Sequence, residues 1–124
     1  MIVGIGTDLL DVGRMAGELA REGAGFRDDV FTAAEIAYCE ACAHPARHFA
    51  ARFAAKEACW KALGVPGDGV SLRDVEVEKE AAGPPRLVLR GRARVVAETL
   101  GGKRAHVSLS HTATLAQASV VLEG

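Results

Sequence analysis

One stretch, Phe49-Ala-Ala-Arg-Phe-Ala-Ala-Lys-Glu-Ala-Cys-Trp-Lys-Ala-Leu-Gly64, constrains the fold of this chain more than any other. Its residues are strong helix formers, and Gly64 followed by Pro66 supplies the stop that a helix C-terminus needs. Wound at about 100° per residue, the stretch separates into distinct faces. Ala51, Ala54, Ala55, Ala58 and Ala62 make a small-residue face on which another backbone can lie close. Phe49, Phe53 and Trp60 make an aromatic stripe, flanked on one side by Glu57 and Lys61 and on the other by Arg52 and Lys56. A helix of this kind is buried over much of its circumference, so these charges lie close to a core. The Glu57–Lys61 spacing also suits an ordinary helical ion pair, contributing roughly 0.2–0.5 kcal/mol. That reading stays open on this stretch alone.

The chain has 124 residues and is expected to form one domain, 1–124, with 49% hydrophobic residues and a net charge of −1. Such a balance argues against a protein held to nucleic acid by bulk charge. Arg86, Arg90, Arg92, Arg94, Lys103 and Arg104 are therefore expected to form a local patch or a solvated surface. Asp8 and Asp11 follow the apolar start too soon for a signal peptide, and no apolar run approaches a membrane span. Three cysteines make a disulfide framework improbable. These features together predict a cytoplasmic protein with neither membrane nor nucleic acid as partner.

Ile2 to Leu10 reads as a strand in which Gly4 and Gly6 mark close approach of a ligand or another backbone. Asp8 is unusual there. It either caps a turn at the strand end or serves a chemical purpose. Asp11 suits the N-cap of a helix from Val12 to about Arg21, broken by Gly23 and Gly25. Thr32 and Glu35 form a capping box, and Phe31 can staple to Ile36, for a helix running to about Ala43. Cys39, Cys42, His44 and His48 admit a zinc site, but their spacing and the inward face of Ile36 and Cys39 favour core packing.

Beyond the loop Gly64–Gly69, Asp74–Lys79 alternates as a strand with one charged face. Ala81–Pro85 turns it into a hairpin with Arg86–Arg90, and a helix follows over Gly91–Leu100, ended by Gly101-Gly102. In the strand His106–Ser110, Val107 and Leu109 share one face and His106, Ser108 and Ser110 the other. A tight connection leads to a last strand, Leu115–Glu123. The class is α+β. The hydroxyls and imidazole of Ser110-His111-Thr112 suit either a phosphate or nucleotide edge, or a hydrated hairpin end.

Four separated stretches carry a family likeness in order. They are Gly4-Ile-Gly-Thr-Asp8, Phe31-Thr32 with Glu35-Ile-Ala-Tyr-Cys39, Arg52-Phe-Ala-Ala-Lys-Glu-Ala58 with Lys61-Ala-Leu-Gly64, and Val107-Ser-Leu-Ser-His-Thr112. The chain resembles the holo-acyl-carrier-protein synthases, small 4′-phosphopantetheinyl transferases, over nearly its whole length. The resemblance implies an antiparallel sheet packed around a long central helix. It also implies transfer of phosphopantetheine from coenzyme A to a serine of apo acyl carrier protein, releasing adenosine 3′,5′-bisphosphate.

What the resemblance implies for the residues follows position by position. Asp8 and Glu57 match the family's Mg²⁺-binding carboxylates. Glu57 or a metal-bound water would assist deprotonation of the carrier serine, with Lys61 neutralising or protonating the leaving phosphate. Arg52 and His111 match basic residues near the coenzyme A phosphates, with Ser110 and Thr112 beside the nucleotide. Arg14 matches a residue meeting the acidic carrier protein, with Met15 and Arg21 as neighbours. A homotrimer with sites at subunit interfaces is also implied.

Two departures stand out. The basic run common before the central helix is here His44-Pro45-Ala46-Arg47-His48, in which only Arg47 is fully charged at neutral pH. Thr7 replaces an aliphatic residue. Two other readings compete with the transferase: a non-catalytic trimeric module binding coenzyme A or a nucleotide, and a metal-dependent pyrophosphate hydrolase.

Overall fold

A computed structural model describes residues 1–124 except 22–23, 66–68 and 81. In chain order the elements are β1 (Ile2–Asp11), α1 (Val12–Arg21), α2 (Ala24–Val30), α3 (Ala33–Glu40) and α4 (Pro45–Leu63). A 3₁₀ turn (Leu72–Asp74), β2 (Val75–Glu78), β3 (Arg86–Leu89), α5 (Gly91–Thr99), β4 (Arg104–His111) and β5 (Leu115–Glu123) complete them. The strands form an antiparallel three-stranded sheet in the order β1-β5-β4 and a separate β2-β3 hairpin. This is the expected α+β arrangement around a long helix.

The central helix begins with Pro45 at its first turn and stops where Gly64 turns left-handed, with φ 69°. Its small-residue face receives β1. An added Cβ on Gly4 would stand 2.1 Å from the Ala62 carbonyl oxygen, and on Gly6 1.9 Å from that of Ala58. Only a strand without side chains at those positions can lie so close. Ala118, Val120 and Leu122 of β5 pack beside this contact, and Val75, Val77 and Leu87 of the hairpin close the same core. A second core forms where Val12, Met15, Phe31, Cys39 and Phe49 join α1, α3 and the start of α4. The aromatic stripe divides between these cores. Phe49 meets Phe31 at 4.9 Å between ring centroids, whereas Trp60 donates Nε1–H to the Val70 carbonyl at 2.9 Å.

The capping box of α3 is present, with Thr32 Oγ1 accepting from the Glu35 amide and Glu35 Oε1 accepting from the Thr32 amide. Glu35 does more than cap. Its buried carboxylate also takes the Lys56 ammonium at 2.8 Å and the Val77 amide at 2.9 Å. Lys56 has no exposed surface and donates additionally to the Leu72 and Val75 carbonyls, at 2.8 and 2.6 Å. Burial pushes its pKa down, and Glu35 opposes that shift. This lysine fastens α4 to α3 and β2 at once.

Several expectations need correction. Gly25 lies inside α2, a helix that the glycine spacing concealed, and α3 ends at Glu40 because its C-cap Ala41 leads directly into bends. The charged face of β2 is closed to solvent at Glu76, while Glu78 stays partly exposed. Glu76 is buried, accepting from Thr32 Oγ1 at 2.5 Å and Arg90 Nη1 at 2.6 Å. Burial raises its pKa, but these donors outweigh it and hold the carboxyl below its usual range. Arg86, Arg90, Arg92, Arg94, Lys103 and Arg104 are all exposed, as a solvated surface requires, and there Arg94 pairs with Glu98 and Arg104 with Glu123. The expected breaks at Gly23 and Pro66, the loop residues Gly67 and Asp68, and the first turn residue Ala81 lie outside the described residues.

No group of three or more His, Cys, Asp or Glu side chains among the described residues is placed to hold a metal, which removes the cysteine–histidine zinc site. Cys39 is instead a core residue, its thiol pushed up to about 12 by burial. No described helix is long and apolar enough to cross a membrane.

Candidate active site

Gly4, Gly6 and Asp8 share one face of β1 because strand side chains alternate. Seating the two glycines on α4 therefore carries Asp8 to the turn that bears Glu57 and Lys61. Asp8 is not a turn cap: it lies within β1, paired across the ladder with Ala118. Asp11 takes the capping role, accepting the Arg14 amide at 2.8 Å. Lys61 Nζ donates to the Thr7 carbonyl at 2.8 Å and to Asp8 Oδ1 at 3.2 Å. Lys61 thus bonds across to β1 instead of closing a helical ion pair with Glu57.

Glu57 is half-buried. Burial pushes its pKa up, and the neighbouring Asp8 carboxylate adds to the shift, while Lys61 and Arg14 oppose it. Asp8 and Glu57 open onto a cavity of about 360 Å³ that Arg14, Met15, Phe26 and Phe53 also line. Two adjacent carboxylates offering hard oxygen donors, repelling one another at the edge of a cavity, suit a Mg²⁺ ion that takes its remaining ligands from phosphate and water.

Arg14 is exposed at the rim, but Met15 is only 2% exposed, so it forms a cavity wall instead of projecting toward a partner. Arg21 lies on the exposed side of α1 and pairs with Glu18 at 2.8 Å.

Arg52 and His111 meet at a second, smaller cavity of about 190 Å³, also lined by Tyr38, His48, Lys79 and Leu109. Arg52 is 2% exposed, and among the described residues no carboxylate pairs with it. Its guanidinium lies over the Tyr38 ring, 4.3 Å from the centroid; Nη1 donates to the His48 carbonyl at 3.4 Å, and Nε is buried without a partner. A buried cation in that condition is costly unless an anion joins it. Ser110 lies exposed at the same end of β4, opposite Gln117. Thr112 is committed to the β4–β5 turn, where its Oγ1 accepts from the Thr114 and Leu115 amides at 3.2 and 3.0 Å. Arg47 is half-buried in the first turn of α4.

The structure therefore brings Asp8, Glu57, Lys61 and Arg14 to one cavity and Arg52 and His111 to another. Sequence reasoning read His48 as a core residue, a weaker metal candidate and a member of the reduced basic run, but not as a neighbour of Arg52 and His111 at one cavity, and it overlooked Phe26 and Phe53 as cavity walls. The four-residue spacing of His48 and Arg52 on one helix was the available signal for the first.

A family model for the 4′-phosphopantetheinyl transferase superfamily matches residues 4–116. The chain belongs to this superfamily. It is 48% identical to the holo-[acyl-carrier-protein] synthase of Koribacter versatilis over 124 residues, covering 99% of each chain. With that of Syntrophus aciditrophicus it shares 46% identity over 125 residues, covering 100% of this chain and 98% of the relative. Among solved structures, the Neisseria meningitidis holo-[acyl-carrier-protein] synthase superposes with a TM-score of 0.88 at 31% identity, covering 100% of both chains. The Helicobacter pylori enzyme, solved in complex with coenzyme A, gives a TM-score of 0.83 at 28% identity, covering 96% of this chain and 99% of that one. The fold is thus shared with solved holo-[acyl-carrier-protein] synthases.

Proposed function

We propose that this protein, as one domain over residues 1–124, is a holo-acyl-carrier-protein synthase. It transfers 4′-phosphopantetheine from coenzyme A to a serine of apo acyl carrier protein. The observation that carries this reading is the convergence of Asp8, Glu57 and Lys61 beside a cavity, in a chain of this superfamily. The serine hydroxyl attacks the phosphorus that bears pantetheine. Its bond to the bridging oxygen breaks, and adenosine 3′,5′-bisphosphate departs with that electron pair.

Glu57 is suited to receive the serine proton, because burial and Asp8 raise its affinity for one. Lys61 is held by two acceptors, and its third N–H remains to meet charge on the leaving phosphate. Asp8 and Glu57 would hold Mg²⁺, which supplies charge neutralisation at the pyrophosphate. Arg52 and His111, with Arg47, Ser110 and Thr112 nearby, are assigned to the phosphates and nucleotide of coenzyme A. Thr112 acts there through the turn it builds.

Arg14 and Arg21 present positive charge on α1 to an acidic carrier protein, with Met15 lining the cavity beside Arg14. Ile5, Leu9 and Leu115 are exposed on the outer face of the sheet, which supports self-association there as a homotrimer with sites at the subunit interfaces. The cysteines, all unpaired, suit a cytoplasmic location.

The test is mass spectrometry of several apo carrier proteins incubated with the protein, coenzyme A and Mg²⁺. The expected result is a carrier heavier by one phosphopantetheine, unchanged in EDTA. Coenzyme A binding with no carrier modified would overturn the transferase reading in favour of a binding module.

A further inference from the structure

The smaller cavity holds more than the two cations assigned to coenzyme A. The His48 and His111 rings meet edge to face at 5.0 Å, and the Tyr38 ring also meets His48 edge to face, at 6.0 Å. Around His48 the charged groups are Arg52 and Arg47 from α4, His44 at its N-cap, His111 from β4 and Lys79 beyond β2. Among the described residues no carboxylate lines the cavity; Glu78 and Glu80 border an adjoining hollow that shares Tyr38 and Lys79. Burial, followed by His111 and Arg52, pushes the His48 pKa below its usual value. An imidazole among cations thus stays neutral until an anion changes the balance.

Coenzyme A presents two kinds of phosphate. The carboxylate pair and Lys61 suit the pyrophosphate, where a divalent cation can bridge. The cation-only cavity suits a phosphate monoester directly, since its second pKa near 6 makes it largely dianionic at neutral pH.

We propose that His48 is a phosphate-binding residue of this protein, protonated only when a phosphate monoester occupies the cavity with Arg52 and His111. This rests on the coenzyme A reading above. Here a titrating imidazole stands in for part of the permanent positive charge of a basic run, so monoester binding takes up a proton and strengthens as pH falls. The proton comes from solvent, and no covalent bond changes.

Calorimetry of coenzyme A binding to the full chain, in buffers of differing ionisation enthalpy, counts that proton. Near pH 7.4 the wild type should take up about half a proton more than His48→Gln. Affinity should fall roughly tenfold in His48→Gln at pH 6.5, and little at pH 8.5. His48→Arg should bind well at both pH values without the extra proton, a rescue that a packing role would not give. 3′-Dephospho-coenzyme A should bind all three proteins alike.

A ¹⁵N-NMR titration of the wild type avoids dependence on variant folding: the His48 imidazole should convert to imidazolium when adenosine 3′,5′-bisphosphate is added. An unchanged ring, equal proton uptake in His48→Gln, or equal weakening toward the dephospho compound would overturn the assignment. Those results with transfer intact sink His48 alone. Failure of the wild type to bind coenzyme A sinks the functional reading as well.

Discussion

A methyl group on Gly6 would lie 1.9 Å from the carbonyl oxygen of Ala58, so β1 and α4 touch there backbone to backbone. This contact fixes Asp8, two residues further along the same strand face, against the turn carrying Glu57 and Lys61. Gly6→Ala must move the strand, because the obstructing atom belongs to the helix backbone. The expected cost is about 1–3 kcal/mol of stability, read in urea, together with a loss of kcat larger than any change in KM. Wild-type turnover in this variant would show that the site tolerates displacement of β1.

Lys56 makes three hydrogen bonds within the core, and its removal leaves Glu35 buried without a counter-charge. Lys56→Met should destabilise the protein by about 3–5 kcal/mol, and Lys56→Met with Glu35→Gln by distinctly less. Urea unfolding of the single and double variants measures this. Additive losses would mean that the pair does not act as a unit.

Glu57→Gln keeps shape while removing both a metal ligand and the proposed proton acceptor. Turnover should fall by about 10²-fold or more, and Asp8→Asn should match it. The same Glu57→Gln change relieves a half-buried carboxylate crowded by Asp8, so Tm in metal-free buffer should rise. A fall in both turnover and Tm would point to a structural role instead.

Arg14 is exposed at the rim of the larger cavity and also faces Glu57 electrostatically. Arg14→Gln should raise KM for acyl carrier protein several-fold, with the effect shrinking at high salt, and should leave KM for coenzyme A nearly unchanged. Steady-state kinetics with each substrate varied in turn decides this. Equal rises for both substrates would remove Arg14 from the carrier surface.

The depressed His48 pKa has a consequence for the free protein. As pH falls through 6.5, the ordinary histidine value, the unfolded chain binds the proton before the folded one does, so stability declines. The decline is complete once pH passes below the folded value. Thermal melts between pH 7.5 and 5.5 should show a smaller drop in His48→Gln than in wild type, and saturating adenosine 3′,5′-bisphosphate should reduce the wild-type drop. Parallel melting curves for the two proteins would contradict a depressed His48.

Local signals in the sequence settled a good deal. The alanine face, Gly64 and the Thr32–Glu35 box depend only on helix periodicity and capping chemistry, and each appears in the structure where the pattern puts it. The pairing of Arg86–Leu89 with Val75–Glu78 and the alternation in β4 follow equally from period and turn residues. The motif order pointed to the superfamily, and with it to Asp8, Glu57 and Lys61.

Other features depended on which elements meet. Helix periodicity put Lys56 near a core without naming its partners, and strand alternation put Glu76 on a charged face; each is buried because partners 21 and 44 residues away, Glu35 and Thr32, supply its bonds. His48 and His111 lie on different elements, and nothing in either local pattern joins them. α2 forms despite Gly25 because Phe26 and Val30 gain more from packing against Phe53 and Phe31 than the glycine loses. By itself the sequence determined the elements, their caps and the residue types that chemistry needs. Only the tertiary structure decided which charges face one another and which lose their water, because both depend on distances through space that no chain interval encodes.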